Sequence, residues 1–449
     1  MASLTTAPAR EPWVTREAVG LAMIFAGQPL GWAIRGMQGG GDSPIFPVGA
    51  LCIGIALMMQ GRWLIAPRFY ANPPLFAIPT LLLLIPILLM SFANFRENIA
   101  WGVYPAFLAV IGLCIALTPV ERFETFPRAL MVLCLLASVD PFIELLVRDP
   151  LSVDAAGGRL QLAGNANVLM TGFIGCLTVI TAVIVGDEDK GNSALTGLVA
   201  SLAFTIGLAA VIMSDTRSDE IVLFPVAGAY LVLRRLRQRQ AAKPGSGRQR
   251  IVFGSVLVGG LASLPALATV FFSKNALKVF EASSELRHSG FLNSLSGGSY
   301  AADTSTAARF ATIEFAYKHL DLAGHGMMHQ SVIQGGIYTH MTYLQAYYDL
   351  GVLGGTFYIL IAAAIPAALC LVRIGLGSLK STDIFIILLL LYVQADHFTH
   401  GHPYAWQGLA PALLCYLLLF GRTDAQLDEL EMQNEGGEKN IDTPPLPAT

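Results

Sequence analysis

Apolar runs long enough to form bilayer-crossing helices recur twelve times along this chain, and no other feature restricts its fold as strongly. They lie near residues 17–34, 45–61, 74–92, 99–118, 127–147, 167–186, 195–213, 219–233, 251–273, 342–372, 383–399 and 403–420, the run at 219–233 being the shortest. A helix needs about 20 apolar residues to cross the hydrocarbon core, where each backbone N–H and C=O must be satisfied within the segment. Only 13% of the 449 residues are charged against 54% hydrophobic, whereas soluble domains average about 25% charged. An ordinary soluble enzyme is thereby excluded, and the expected fold is all-α: a polytopic integral membrane protein of about twelve transmembrane helices. The first run follows Arg10 and Arg16 with no small-residue cleavage site directly behind it, so a retained helix is expected and not a signal peptide. A formal net charge of -3 gives no global basic field, which argues against nucleic acid as a partner. The six cysteines (Cys52, Cys114, Cys134, Cys176, Cys370, Cys415) fall in apolar runs without paired spacing and read as small buried hydrophobes.

Orientation follows from the distribution of Lys and Arg, because cytoplasmic loops carry the excess of positive charge. An even number of spans puts both termini on one side. With cytoplasmic termini, 18 of the 28 basic residues fall inside, led by Arg234, Arg235, Arg237, Arg239, Lys243, Arg248 and Arg250. Of the ten outside, five (Lys274, Lys278, Arg287, Arg309, Lys318) sit in one long segment that counts little for topology. The basic 234–250 connector reads as an anchor against anionic membrane lipids.

Four regions follow: helices one to nine over 1–273, an outer loop over 274–340, helices ten to twelve over 341–420, and a polar, Pro-rich tail over 421–449 that is expected to be disordered in the cytoplasm. The outer loop is the one connection long enough to fold as something outside the bilayer, and loops of that length are usually functional. Asp303 or Thr304 can cap a helix running to about 320, with Ala307, Phe310, Ile313, Tyr317 and Leu320 on one apolar face laid against the membrane or the mouth of the bundle.

Polar residues at the outer span ends are the candidates for chemistry. Arg159 precedes GNAN, Arg217 sits in SDTRSDE, Arg287 lies in the outer loop and Arg309 is near the start of the loop helix. A guanidinium never loses its charge and pairs bidentately with phosphate, although Arg at an interface also snorkels or pairs with acids such as Asp154, Asp215 and Asp219. His340 opens the tenth span in YTHMTYLQAYYDLGVLGG, where it can cap the helix or accept a proton near neutral pH. Tyr343, Tyr347 and Tyr348 suit either an interfacial belt or a sugar-stacking surface. His397, His400 and His402 have metal-like spacing without an accompanying acid or thiolate cluster, so they read as an interfacial hydrogen-bonding group and no metal is expected. Asp140 and Glu144 are ionisable groups one turn apart in the fifth span, functional candidates or partners of Arg148. The chain has neither GxxxxGK[ST] nor a GxGxxG following a strand, so any donor substrate must arrive already activated and no cofactor is expected.

Over roughly residues 155–375 the chain resembles the O-antigen ligase and polymerase superfamily of bacterial inner-membrane glycosyltransferases. The resemblance rests on Arg159 with Gly164, Asn165 and Asn167, on Ser214 to Ser218 with Arg217, on Arg309, on the Gly324, His325, Gly326 turn, and on His340 with Leu344 and Gly351 to Gly354. Met341 and Asp349 stand where that family often has Asn and Glu. The resemblance implies a GT-C-like membrane fold with a periplasmic active site, a glycan donor linked to undecaprenyl diphosphate, and a lipid A-core oligosaccharide acceptor. It further implies His340 as general base and Arg217 and Arg309 on the diphosphate, assisted by Arg159 or Arg287. One large loop late in the chain fits a ligase better than a polymerase, which tends to have two, or a protein O-oligosaccharyltransferase, which often carries a soluble C-terminal part. A lipid-linked glycan transporter is the rival from another class, but the chain has no repeated halves and its candidates cluster at one face.

Overall fold

The computed structural model describes residues 12–37, 45–59, 111–112, 114–115, 118, 120–147, 168–188, 194–214, 217–240, 304–326, 339, 341–376, 379–397 and 406–419. Among the described residues there is no strand, and the chain is all-α. The helices are Arg16–Met37 (α1), Ile45–Met59 (α2), Phe126–Val147 (α3), Val168–Glu188 (α4), Ala194–Ser214 (α5), Arg217–Gln240 (α6), Thr304–Lys318 (α7), Thr342–Ile359 (α8), Ile365–Leu376 (α9), Ser381–Asp396 (α10) and Trp406–Leu414 (α11). Nine of the twelve apolar runs coincide with described helices, those at 74–92 and 251–273 lie outside the described residues, and only fragments of 99–118 are described. Four helical stretches are long and apolar enough to cross a membrane: Val120–Ile143, Thr171–Glu188, Ala194–Ser214 and Thr342–Leu376. Large apolar side chains stand exposed along them, among them Leu195, Leu198 and Ile212 on α5 and Leu353, Phe357 and Leu371 on the last stretch. Such faces suit lipid and not water.

The chain divides into two compact units: Met1–Pro67 with Leu117–Pro225 and Pro244–Ala307, and Arg68–Ala116 with Val226–Lys243 and Ala308–Thr449. One of the boundaries falls after Pro225 inside α6, where the ring supplies no N–H to the helical ladder.

In the first unit, helix packing relies on small residues and hydroxyls, as expected where lipid gives helices no hydrophobic reason to associate. α4 and α5 approach so closely that a Cβ on Gly175 or Gly207 would lie 2.8 Å from the carbonyl oxygen of the other. Ser138 and Thr178 share a buried 3.0 Å hydrogen bond between α3 and α4. Around them Met131, Ala182, Val185, Ala200 and Ala203 form an apolar core. Thr15 caps α1 through Ala18 N–H (3.3 Å), and its own N–H donates to Thr125 Oγ1 (3.0 Å) ahead of α3. Arg128 reaches Glu188 at the end of α4 (3.4 Å). Residues 13–15, 122–128 and 188 thus meet at one end of the unit, and all belong to segments that the basic-residue count assigns to a single side.

The second unit is organised around α10, on which every residue from Ser381 to Leu390 is buried. A helix apolar on all sides belongs in the middle of a bundle. Its first turn carries a buried ion pair, Arg373 Nη2 to Asp383 Oδ2 at 2.9 Å, and the same carboxylate accepts the Lys380 N–H at 2.9 Å. Arg237 of α6 donates to Ser381 Oγ at 2.9 Å. Helix α6 is longer than its apolar run because Arg, Leu and Gln beyond residue 233 are good helix formers. Between α8 and α9, Leu360–Ala364 forms a π turn, and Cys415–Leu419 forms another after α11. The widened turn leaves carbonyls open to side chains: Tyr416 Oη donates to Ile361 O (3.0 Å) and Gln394 Nε2 to Ala362 O (3.0 Å). Five of the six cysteines are buried as expected, whereas Cys52 is exposed on α2.

Candidate functional site

The start of α8 is held by more polar contacts than any apolar run would suggest. Met341 is extended (φ −149°, ψ 104°), and the next residue, Thr342, donates its N–H to the carbonyl of His397 at 2.9 Å. On the other side of position 340, Thr339 is fully buried. Its N–H donates to Gln345 Oε1 (3.0 Å) and its hydroxyl to the carbonyl of Thr312 in α7 (3.2 Å). Gln345 completes its amide by donating from Nε2 to Asp349 Oδ1 at 2.8 Å. Thr339, Thr342, Gln345 and Asp349 are all buried, and each paired group escapes the cost that a lone buried polar group incurs. Tyr343 donates to Gln394 Oε1 and meets the His397 ring edge-on at 5.6 Å.

One turn further on, α8 breaks. Gly351 has φ 73° and ψ 176°, and the residues on both sides of it use their backbone on the segment that follows α7. His325 N–H donates to Tyr348 O (3.0 Å), Gly326 N–H to Asp349 O (2.9 Å), and Val352 N–H to Asp321 O (3.0 Å). A break in the ladder leaves such carbonyls and N–H groups to be satisfied from outside. Gly324 (φ 79°) and Gly326 (φ 88°) give the docked segment its shape, and Asp321 accepts the Gly324 N–H. Above it lies a ring cluster: Phe315 stacks on His319 (4.3 Å), and Tyr348 meets His325 (4.5 Å) and Phe315 (6.1 Å). His325 Nε2 donates to His319 O at 2.6 Å, which puts a proton on that nitrogen.

Helix α7 itself runs close to the span expected. Thr312 and Ala316 face inward and are buried, whereas Tyr317 of the apolar stripe is 71% exposed and faces out of the protein. The Thr339 hydroxyl bonds the backbone carbonyl on the inward side. On its outer side Lys318 donates to Glu314 (2.5 Å) and holds that carboxyl below the usual carboxylate range. Fully exposed pairs of this kind contribute little to stability.

Of the sequence candidates, His340, Arg159 and Arg287 lie outside the described residues, as do His400 and His402. Arg217 is the first residue of α6 and Arg309 lies in α7, their side chains being outside the description. Asp140 is buried in α3, and the Glu144 side chain is again outside the described residues. Thr312, Thr339, Gln345 and the backbone of His397 were not singled out by sequence reasoning. A glutamine four residues ahead of an aspartate in an apolar span was the available signal.

No protein-family model matches the chain, and no curated protein does.

Proposed function

We propose that the protein is a membrane glycosyltransferase of the O-antigen ligase type, moving a glycan from undecaprenyl diphosphate onto a hydroxyl of the lipid A-core oligosaccharide at the periplasmic face of a bacterial inner membrane. The observation that supports this reading most is the Thr339 to Thr312 hydrogen bond, which ties the residue before His340 to the helix that carries Arg309 three positions earlier. A general base and a phosphate-binding cation are thereby carried on segments joined to each other.

In this reaction His340 takes the proton of the acceptor hydroxyl as its oxygen attacks the anomeric carbon. The bond from that carbon to the diphosphate breaks, and undecaprenyl diphosphate leaves with the electron pair. One displacement inverts the anomeric centre. Arg217 and Arg309, with Arg159 or Arg287, neutralise the charge gathering on the leaving group, which is where preorganised electrostatics contribute most. With guanidinium groups in that role, the reaction requires no metal.

The test is glycan transfer by the purified protein in EDTA, from an undecaprenyl-diphosphate oligosaccharide to lipid A-core. Wild type is expected to transfer, and His340→Ala to lose about 10²–10⁴-fold, the usual contribution of a positioned base. Equal transfer by both proteins removes His340 as the base, and no transfer by wild type overturns the reading.

A further inference from the structure

We propose that Gln345 is a positioning residue for this transfer, fixing His340 through a buried relay that runs from Asp349 through Gln345 to Thr339. The inference rests on the reading of His340 as base and adds the group that aims it.

Both halves of the Gln345 amide are used, one on each neighbour. Oε1 accepts the Thr339 N–H at 3.0 Å and Nε2 donates to Asp349 Oδ1 at 2.8 Å. Gln345 is 3% exposed and Asp349 1%. A buried amide with both ends engaged has one orientation, because a flip would set donor against donor and acceptor against acceptor. Thr339, the residue ahead of position 340, is held at its N–H by Gln345 and at its hydroxyl by the Thr312 carbonyl, from two directions. The residue after next, Thr342, is fixed by the His397 carbonyl. At its far end the relay is anchored too, since the Asp349 carbonyl accepts the Gly326 N–H beside the break in α8. Thr339 and Thr342, the described residues that flank position 340, are thus held by α7, by α8 itself and by the end of α10.

Glutamine at 345 is an odd choice for mere packing. An apolar residue of similar volume would spare the amide its desolvation but leave the buried Thr339 N–H without this acceptor, so the amide holds Thr339 as well as filling space. The relay's contribution is alignment. Displacing a reacting group by about 1 Å costs on the order of 10²-fold in rate, whereas binding of the lipid substrates is made elsewhere.

The experiment compares Gln345→Leu, Gln345→Glu and the double variant Gln345→Glu with Asp349→Asn in the same transfer assay, reading kcat and donor KM separately. Gln345→Leu is expected to lower kcat by about 10- to 100-fold with little change in KM. Gln345→Glu still accepts from Thr339 but sets a carboxylate against Asp349, and kcat falls as well. In the double variant the new amide at position 349 donates to the new carboxylate at position 345, restoring both bonds, and kcat should return most of the way. Amide exchange at Thr339 should follow the same order, fast in the two single variants and slow again in the double. Wild-type kcat in Gln345→Leu, or no recovery in the double variant over Gln345→Glu, overturns the proposal even if Gln345→Leu proves unstable. An inactive wild type, or a fully active His340→Ala run alongside, defeats the underlying reading and the relay's role with it.

Discussion

Gly351→Ala is expected to lower the stability of the protein by about 2–6 kcal/mol, read as a fall in the thermal midpoint in detergent micelles. Two costs combine. At φ 73° and ψ 176° the residue occupies a region essentially reserved for glycine, worth about 1–3 kcal/mol for any other side chain. In addition the new Cβ would meet Leu322 O and the Ala323 backbone under 3.0 Å, and backbone cannot rotate aside as a side chain can. Overpacking of this kind adds about 1–3 kcal/mol. Relief would require the 321–326 segment to detach, with loss of its three backbone hydrogen bonds to α8. Gly375→Ala in α9 is the matched control, because a Cβ there meets nothing within 4 Å. It should leave the midpoint unchanged or raise it slightly, by up to about 1 kcal/mol of helix propensity. Equal midpoints for the two variants would show that the segment is not docked as described.

Asp383→Ala is expected to cost about 3–5 kcal/mol, the usual penalty for breaking a buried ion pair from one side. The carboxylate faces Arg373 at 2.9 Å, and the two side chains are 0% and 3% exposed. It also accepts the Lys380 N–H at the start of α10, a capping contact worth about 1 kcal/mol alone. Asp383→Asn keeps the acceptor and discards the charge, so it should fall between wild type and Asp383→Ala. Replacing both partners by apolar residues, Arg373→Met with Asp383→Leu, should recover most of the ion-pair loss, since neither charge is then left in the interior. Chemical unfolding in mixed micelles distinguishes these cases. Single variants within about 1 kcal/mol of wild type would place the pair in water instead.

Span positions were legible in the sequence because lipid enforces a length: the run at 127–147 is Phe126–Val147, and that at 195–213 is Ala194–Ser214. The break in α8 was not. Residues 342–372 read as one apolar run, and hydropathy carries no record of a backbone angle at Gly351. The inward side of α7 was not legible either, because the sequence marks only its apolar stripe, through Ile313 and Tyr317. Thr312 and Ala316 are the buried positions, and the Thr339 hydroxyl meets the Thr312 carbonyl there. The candidate site was visible only as residue types at span ends, His340 and the four arginines. The Thr339, Gln345, Asp349 relay depends on tertiary hydrogen bonds that no spacing rule announces.

The break at Gly351 also fixes a depth. Of the 35 residues in the Thr342–Leu376 stretch, 25 follow the glycine. They extend about 37 Å at the helical rise, which exceeds a hydrocarbon core of about 30 Å. The part after the break is long enough to cross by itself, so the first turns of α8 need not enter the oil at all and can lie at headgroup level. In the proposed reaction, whose two substrates are each tethered by a lipid tail, they would then meet the protein by sliding within a plane, and their encounter would become a search in two dimensions.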